Sequence, residues 1–547
     1  MAKNGKKDNS FLVQGSILAA AGIIVRLIGL FYRVPLNNIL GDHGAGIYSS
    51  AYNIYAVLLL LSSSSLPLAI SKMIAERAAK KQYRNVRAVL RTSLVFSCFL
   101  GGATFCIIFF GADFFAGTVL NAPETAFALR LLAPTIFVMA FLSTMRGFFQ
   151  GLGTMIPTAV SQIIEQIFNA VFSVACAYGL FRLGMTAANG GPDLAAAYGA
   201  GGGTIGTGVG ALSALVVCIV IFFMFRGRFT NMVRRDRTEA SERFGTLLKI
   251  VILTALPVTL SGTVTNISTV VDQSFFGHYM EFVSQSDQYM PVWGAYSSIY
   301  VLLTTLPIAI STAMAMSTAP SIAAANAKGD RAGMLSKIAL SIRFCMIIAI
   351  PSTIGLTVLG GPVVKMLFPY NEGSAARMLL VGSVVVVFAS LTTITSAILQ
   401  GMGKVVIPVT HAAIALAAHF GFLAVALFAM KTGIYGVIFA IIFFNILTTI
   451  LNLRYIMRAL SYRQEIRKTF VIPAVCSVIM GAACFGVYHG CFRLVHRNIV
   501  SVAAAILAAL IVYFVLLLKL KGIDELELLD APMGARFVRI AKKIRLL

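Results

Sequence analysis

Gln150-Gly-Leu-Gly-Thr-Met-Ile-Pro157 and Gln400-Gly-Met-Gly-Lys-Val-Val-Ile-Pro408 are two copies of one signal. Each closes a long apolar run with a glycine turn and opens the next run at a proline. Neither is a phosphate loop, because neither carries the consecutive Gly-Lys-Ser/Thr with which such a loop enters its helix. A second pair accompanies the first. Gly46-Ile47-Tyr48-Ser49-Ser50-Ala51-Tyr52 opens one apolar run, and Gly294-Ala295-Tyr296-Ser297-Ser298-Ile299-Tyr300 opens another. Gln400 stands 250 residues after Gln150, and Gly294 stands 248 after Gly46. Two matches at nearly one offset define an internal repeat. Not everything repeats in register: Leu66-Pro67-Leu68-Ala69-Ile70-Ser71 resembles Leu306-Pro307-Ile308-Ala309-Ile310-Ser311, but at an offset of 240.

Working outward from these turns, the chain is apolar almost from end to end. Of 547 residues, 58% are hydrophobic and 12% charged, about half the charge of a soluble protein. A helix needs roughly 20 mainly apolar residues to cross a bilayer. Such runs fall at 12–34, 47–70, 89–111, 127–149, 159–181, 203–225, 250–274, 295–319, 338–359, 378–400, 409–430, 433–453, 470–489 and 499–518. The expected class is therefore an all-α polytopic membrane protein of about 14 transmembrane helices.

The net charge of +24 would suggest nucleic acid on a soluble protein. Here it lies in short connections and reports topology. With the N-terminus inside, 35 of the 44 Lys and Arg fall on the inner side, as the positive-inside rule requires. Both termini are then cytoplasmic. Lys3, Lys6 and Lys7 precede a first run too long for a signal peptide. The eight cysteines form no CxxC pair and lie in or beside apolar runs, which suits packing better than metal binding.

The repeat covers six helices, an even number, so both copies enter the membrane the same way round. Such parallel repeats build transporters, with substrate at the repeat interface. The expected division is an N-lobe at 1–225, a basic cytoplasmic linker at 226–249 and a C-lobe at 250–457. Helices 13 and 14 follow at 468–518, and an amphipathic cytoplasmic tail, or a solvated one, at 519–547.

Ionisable groups within a span are costly and usually face a partner or a wet cavity. Arg26 and Arg33 lie seven residues apart on the first span, nearly on one face. Two guanidiniums suit a phosphate; alternatively, Arg26 pairs with a carboxylate and Arg33 reaches the headgroups. On the fifth span Gln162, Glu165, Gln166, Asn169 and Ser173 form a polar stripe, which lines a cavity or glues helices together. Asp272 on the seventh span shares a face with Thr265, Ser268 and Thr269, and can take a cation, a proton or Arg26 as partner. Tyr52 and Tyr300, with Tyr48, Tyr55 and Tyr296, face the substrate or form an interfacial belt. His411 and His419 lie on one face of span eleven, for packing or a proton relay.

These features resemble the MOP exporter superfamily, and within it the MurJ-type lipid II flippases of the Gram-positive branch that includes the stage V sporulation protein B group. The carrying segments are Arg26-Leu-Ile-Gly-Leu-Phe-Tyr-Arg33, Gln150 through Gln166, and Val270-Val271-Asp272-Gln273. The resemblance implies a flippase that moves undecaprenyl-pyrophosphate-linked glycan from inner to outer leaflet by alternating access. It implies that helix 1 arginines meet the pyrophosphate and that helices 13 and 14 form a groove for the lipid tail. The partners implied are that substrate and membrane lipids, with no nucleic acid, and the protein is expected as a monomer. No cofactor is implied; the energy source stays open among membrane potential, H+ and Na+. Two departures stand out. The stretches where relatives carry further arginines read Ser62-Ser63-Ser64-Ser65 and Ser297-Ser298, leaving Lys72 and Arg146 as other inner cations, and span eleven has no carboxylate for sodium. The competing classes are a flippase for another polyprenyl-linked oligosaccharide, a MATE-like drug exporter, and a non-transporting scaffold. A membrane glycosyltransferase is disfavoured, because there is no DxD cluster and no large outer loop.

Overall fold

The computed structural model describes residues 2–187, 191–238, 242–371 and 373–522. Every regular element among them is helical. In chain order they are α1 (Ala2–Leu59), α2 (Leu66–Ala79), α3 (Tyr83–Asp113), α4 (Thr125–Gly151), α5 (Ile156–Thr186), α6 (Pro192–Arg234), α7 (Phe244–Phe282) and α8 (Ser286–Gly294). There follow α9 (Val301–Ala327), α10 (Arg331–Leu367), α11 (Ser374–Gly382), α12 (Val385–Gly401), α13 (Val406–Ala424), α14 (Ile434–Leu460), α15 (Ile472–Val495) and α16 (Asn498–Lys519). Short π-helical stretches join several of these.

Eleven described helices are long and apolar enough to cross a membrane, and twelve if the bent pair α11–α12 counts as one span. Two of the expected spans share α1, which breaks at Gly41, and α7 supplies one more helix of 39 residues. The expected fourteen spans agree with this architecture. The break at Gly41 (φ 64°, ψ −176°) uses a backbone conformation that costs a residue with a Cβ far more than it costs glycine. Residues 523–547, most of the expected amphipathic tail, lie outside the described residues.

By internal packing the chain divides into Met1–Gly294 and Ala295–Leu547. That cut differs from the expected linker at 226–249. Residues 226–234 continue α6 as helix, and α7 packs on α1, α2 and α3. The cut falls just before the expected eighth span, where α8 is held against α1 by backbone approach. A Cβ on Gly46 would stand 2.2 Å from the Met290 carbonyl oxygen, and one on Gly294 would stand 1.8 Å from that of Asp42. The two glycines that open the repeat motif therefore meet for one reason, room for crossing backbones.

In the first unit the tightest packing is α5 against α6. Gly202, Gly206 and Gly210 recur every four residues on α6, so they form one smooth face. A Cβ on Gly206 would lie 2.2 Å from the Ser173 backbone nitrogen, and one on Gly210 2.6 Å from the Glu165 carbonyl oxygen. This seam fixes the height and rotation of the α5 polar stripe. The α4–α5 turn is held similarly: Gly153 takes φ 84°, and Gly151 abuts Ile74 and Ser71 of α2. Between α2 and the segment before α7, Arg77 grips Glu242, Nε to Oε1 at 2.7 Å.

The second unit repeats the turn. Gly403 takes φ 75°, and Gly401 abuts Ala319 and Ile322 of α9. The hairpin α15–α16 packs on α10, with Cys476 buried among Ile347, Leu517 and Leu518. Arg343 pairs with Glu465 just before α15. His411 bonds Asn452 at 2.8 Å and His419 bonds the Ala440 carbonyl at 2.8 Å, so both serve helix packing.

Gly206→Ala should cost about 1–3 kcal/mol by overpacking, read as a lower unfolding temperature in detergent. Gly179→Ala on the same seam's outer side, where a Cβ meets nothing within 4 Å, should leave stability unchanged or slightly raised. Equal effects would contradict the close α5–α6 packing.

Candidate functional site

The candidate site lies in the first unit, where α1, α4, α5 and α6 meet. Its inner edge is an ion pair. Arg146 of α4 reaches Glu165 of α5, Nη2 to Oε2 at 2.7 Å, and its Nε donates to the Ser161 hydroxyl at 3.0 Å. The guanidinium is 11% exposed and the carboxylate 25%. The α4–α5 turn makes this contact, because it folds α5 back beside α4 and brings the two helix faces together. An ion buried this far without its counter-ion would be strongly unfavourable. The turn motif therefore has a second consequence, the neutralisation of Glu165.

One to two turns further along α5, Asn169 is the hub of a neutral network. Its amide donates to the Tyr32 hydroxyl at 3.4 Å. Its Oδ1 accepts from Ser173 at 2.9 Å and from Thr207 at 3.4 Å. The Ser173 hydroxyl also lies 2.8 Å from the Gly203 carbonyl oxygen. The side-chain amide of Gln166 lies beside Gly29, where a Cβ would be 3.3 Å from it. The α5 stripe thus faces α1 and α6, as a cavity wall or helix glue would.

Arg33 of α1 is half-buried. Its polar neighbours are neutral phenols: Tyr32, which accepts a hydrogen bond from it, and Tyr48 and Tyr52. The rings of Tyr48 and Tyr52 stack at 6.3 Å, and Tyr52 and Tyr55 stand 5.6 Å apart. Tyr52 and Tyr55 are also within electrostatic reach of Glu165. Among the described residues no carboxylate pairs with Arg33. A guanidinium ringed by hydroxyl groups offers donors and positive charge together, the donor set that an anionic oxygen requires.

The structure therefore brings together Arg33, Tyr52, Glu165 and Asn169 from the expected set. Other members of the expected set stand on the same helices or on others. Arg26 is exposed on α1, while Gln162 is half-buried on α5. Asp272 is buried on α7, next to Gln273, which accepts a hydrogen bond from Asn53 at 3.0 Å. Of the polar face expected around Asp272, the Thr265 side chain lies outside the described residues. Tyr300 belongs to the second unit, where its hydroxyl donates to the Gly382 carbonyl at 2.9 Å in the bent α11–α12 pair. Tyr32 is the member that sequence reading missed; its adjacency to Arg33 was the available signal.

The class that this helical bundle shares with its relatives and structural neighbours is that of the MOP-superfamily membrane transporters. The chain belongs to the family described as polysaccharide biosynthesis protein, whose model matches residues 12–326. It is 24% identical to stage V sporulation protein B of Bacillus subtilis (strain 168) over 97% of this chain and 99% of the relative. It is 25% identical to the lipid II flippase MurJ of the same organism over 72% of this chain and 74% of the relative. Among solved structures it resembles lipid II flippase MurJ in an inward closed conformation, with TM-score 0.65 and 15% identity over 92% of this chain and 98% of that one. A MATE family transporter in an inward-facing conformation matches with TM-score 0.65 and 18% identity, over 80% of this chain and 98% of that chain. MurJ and the MATE protein are by description a flippase and a transporter, not enzymes.

Glu165→Ala should be strongly destabilising, by about 3–5 kcal/mol, because it strands Arg146. Arg146→Met combined with Glu165→Leu should recover most of that loss. The check is thermal unfolding of the three proteins in one detergent; a double variant as unstable as the single one would contradict a mutual ion pair.

Proposed function

We propose that this chain flips lipid II, the undecaprenyl-pyrophosphate-linked peptidoglycan precursor, from the inner to the outer leaflet of a bacterial plasma membrane by alternating access. The observation that carries the reading is Arg33, a half-buried guanidinium supported by Tyr32, Tyr48 and Tyr52 without a carboxylate partner among the described residues. A pyrophosphate supplies the missing negative charge. Its oxygens accept the planar guanidinium donors, and the phenols add neutral donors at the rim. The kinship to MurJ and stage V sporulation protein B supports a lipid-linked substrate.

In this reading the two six-helix repeats are the moving lobes. Arg26, exposed on the same helix, meets the headgroup as it enters or leaves. Gln162, Asn169 and Asp272 contact its polar parts, and Tyr300 holds the bent helix of the second lobe. Arg146 neutralises Glu165, so that the carboxylate does not repel the substrate. The α15–α16 hairpin carries the polyprenyl tail. Both termini lie in the cytoplasm, and the unit of function is a monomer. A second reading shares the same pyrophosphate chemistry: the family description favours another polyprenyl-linked oligosaccharide.

Proteoliposomes loaded with fluorescent lipid II, or with a different undecaprenyl-pyrophosphate glycan, separate these readings by which lipid is transferred. Arg33→Ala should reduce the initial rate at least about tenfold, a loss of roughly 1.4 kcal/mol. Arg33→Lys should retain part of it, since lysine keeps the charge but loses the planar fork. Arg182→Ala, whose guanidinium lies over the Tyr178 ring at 5.1 Å, should match wild type. Wild-type vesicles that transfer neither lipid would overturn the flippase reading.

A further inference from the structure

His43 lies two residues past Gly41, at the corner where α1 breaks between its two spans. Both of its ring nitrogens face carboxylates. Nε2 is 2.7 Å from Oε2 of Glu124, and Nδ1 is 3.4 Å from Oδ1 of Asp193. Glu124 immediately precedes α4, and Asp193 sits in the first turn of α6. One imidazole therefore ties the α1 corner to the starts of two other helices.

A neutral imidazole cannot serve this arrangement. It has one N–H and one lone pair, so one of its nitrogens would present a lone pair to a carboxylate. Only the imidazolium donates on both sides. Both carboxylates stand at a helix N-terminus, Glu124 just before α4 and Asp193 in the first turn of α6. The two contacts are unequal: Glu124 is closer and better shielded, while Asp193 is mostly exposed.

The other charges nearby do not compete for the ring. Arg130 of α4 pairs with Asp113 at 2.5 Å. Arg182 of α5 lies over Tyr178. Asp42 precedes the ring in the chain. Glu124, Asp193 and Arg130 also line an open cavity of ≈ 440 Å³, with Phe127 and Tyr198 as its aromatic wall, so water reaches both carboxylates. Arg33 sits ten residues before His43 on the same helix, across Pro35.

The geometry points to a proton-binding site at this corner: the bound proton lets His43 clamp α1 to α4 and α6, and its loss releases the corner. The clamp is present while the ring is charged and is lost as pH rises through the titration of His43. The site goes beyond the flippase reading and does not depend on it, because the clamp is a property of the protein without substrate.

Hydrogen–deuterium exchange of the full-length protein in nanodiscs tests it, with peptides covering 38–48 followed from pH 5 to 9 and corrected for intrinsic exchange rates. Wild type should show protection at low pH that falls at least about tenfold as the ring loses its proton, tenfold being about one pKa unit of differential interaction. His43→Gln, which cannot carry the charge, should be unprotected and flat with pH. Glu124→Gln should move the transition to lower pH, and it keeps the proposal testable if His43→Gln folds poorly. A wild-type profile flat across the range, or a step that survives unchanged in His43→Gln and Glu124→Gln, would overturn the proposal. Loss of transport in the proteoliposomes with an intact pH step would count against the flippase reading alone.

Discussion

A guanidinium placed inside an apolar bundle needs an anion, and the interior of the first unit is arranged by how that need is met. Arg146 meets it with Glu165 at 2.7 Å. That pair consumes the one carboxylate of the α5 stripe and leaves the rest of the stripe neutral. Arg33 meets it differently, with phenol oxygens that carry partial rather than full negative charge. The first solution is complete within the chain. The second is incomplete in an apolar medium, where an ion costs at least a few kcal/mol. A ligand with negative oxygens completes it.

The surrounding packing serves that placement. Three glycines of α6 let α5 approach until backbone meets backbone, at Cys176, Ser173 and Glu165. A helix seated that closely cannot rotate without collision. Asn169 and Ser173 are therefore presented to Tyr32 and Thr207 at hydrogen-bonding distance. The α4–α5 turn, with Gly151 pressed on α2, sets the register that brings Arg146 opposite Glu165. The same turn recurs at Gly401 and Gly403 in the second unit, yet no Arg–Glu pair follows it there, because the matching positions carry Ser396 before the turn and, counted from Pro408, Leu416 after it. The repeat preserved the turn and let the charges diverge.

The spans, the paired glycine turns and the α5 polar stripe could be read from the sequence, because each is a local pattern with a physical cause. Apolar run length reports bilayer thickness, glycine reports positive φ or close approach, and helical spacing reports a face. Arg33, Glu165 and Asn169 stood out for the same reason, as polar groups in apolar runs. What could not be read depends on contacts distant in the chain. Helical spacing put Arg26 near the face of Arg33, but exposure is set by what packs there, and Arg26 lies exposed. The boundary at Gly294 follows from α8 crossing α1, a contact about 250 residues apart. The tyrosines of the repeated motif look alike in sequence. Tyr52 faces Arg33, whereas Tyr300 satisfies a carbonyl freed by a bend in its own unit.

The central claim is that Arg33 is a site for the phosphate oxygens of a lipid. Binding of undecaprenyl pyrophosphate and of uncharged undecaprenol to the purified protein measures it most directly, by native mass spectrometry on wild type and Arg33→Ala. The account predicts a preference for the pyrophosphate lipid of at least about tenfold, roughly 1.4 kcal/mol, that collapses in Arg33→Ala while undecaprenol binding is unchanged. A preference that persists undiminished in Arg33→Ala would contradict it.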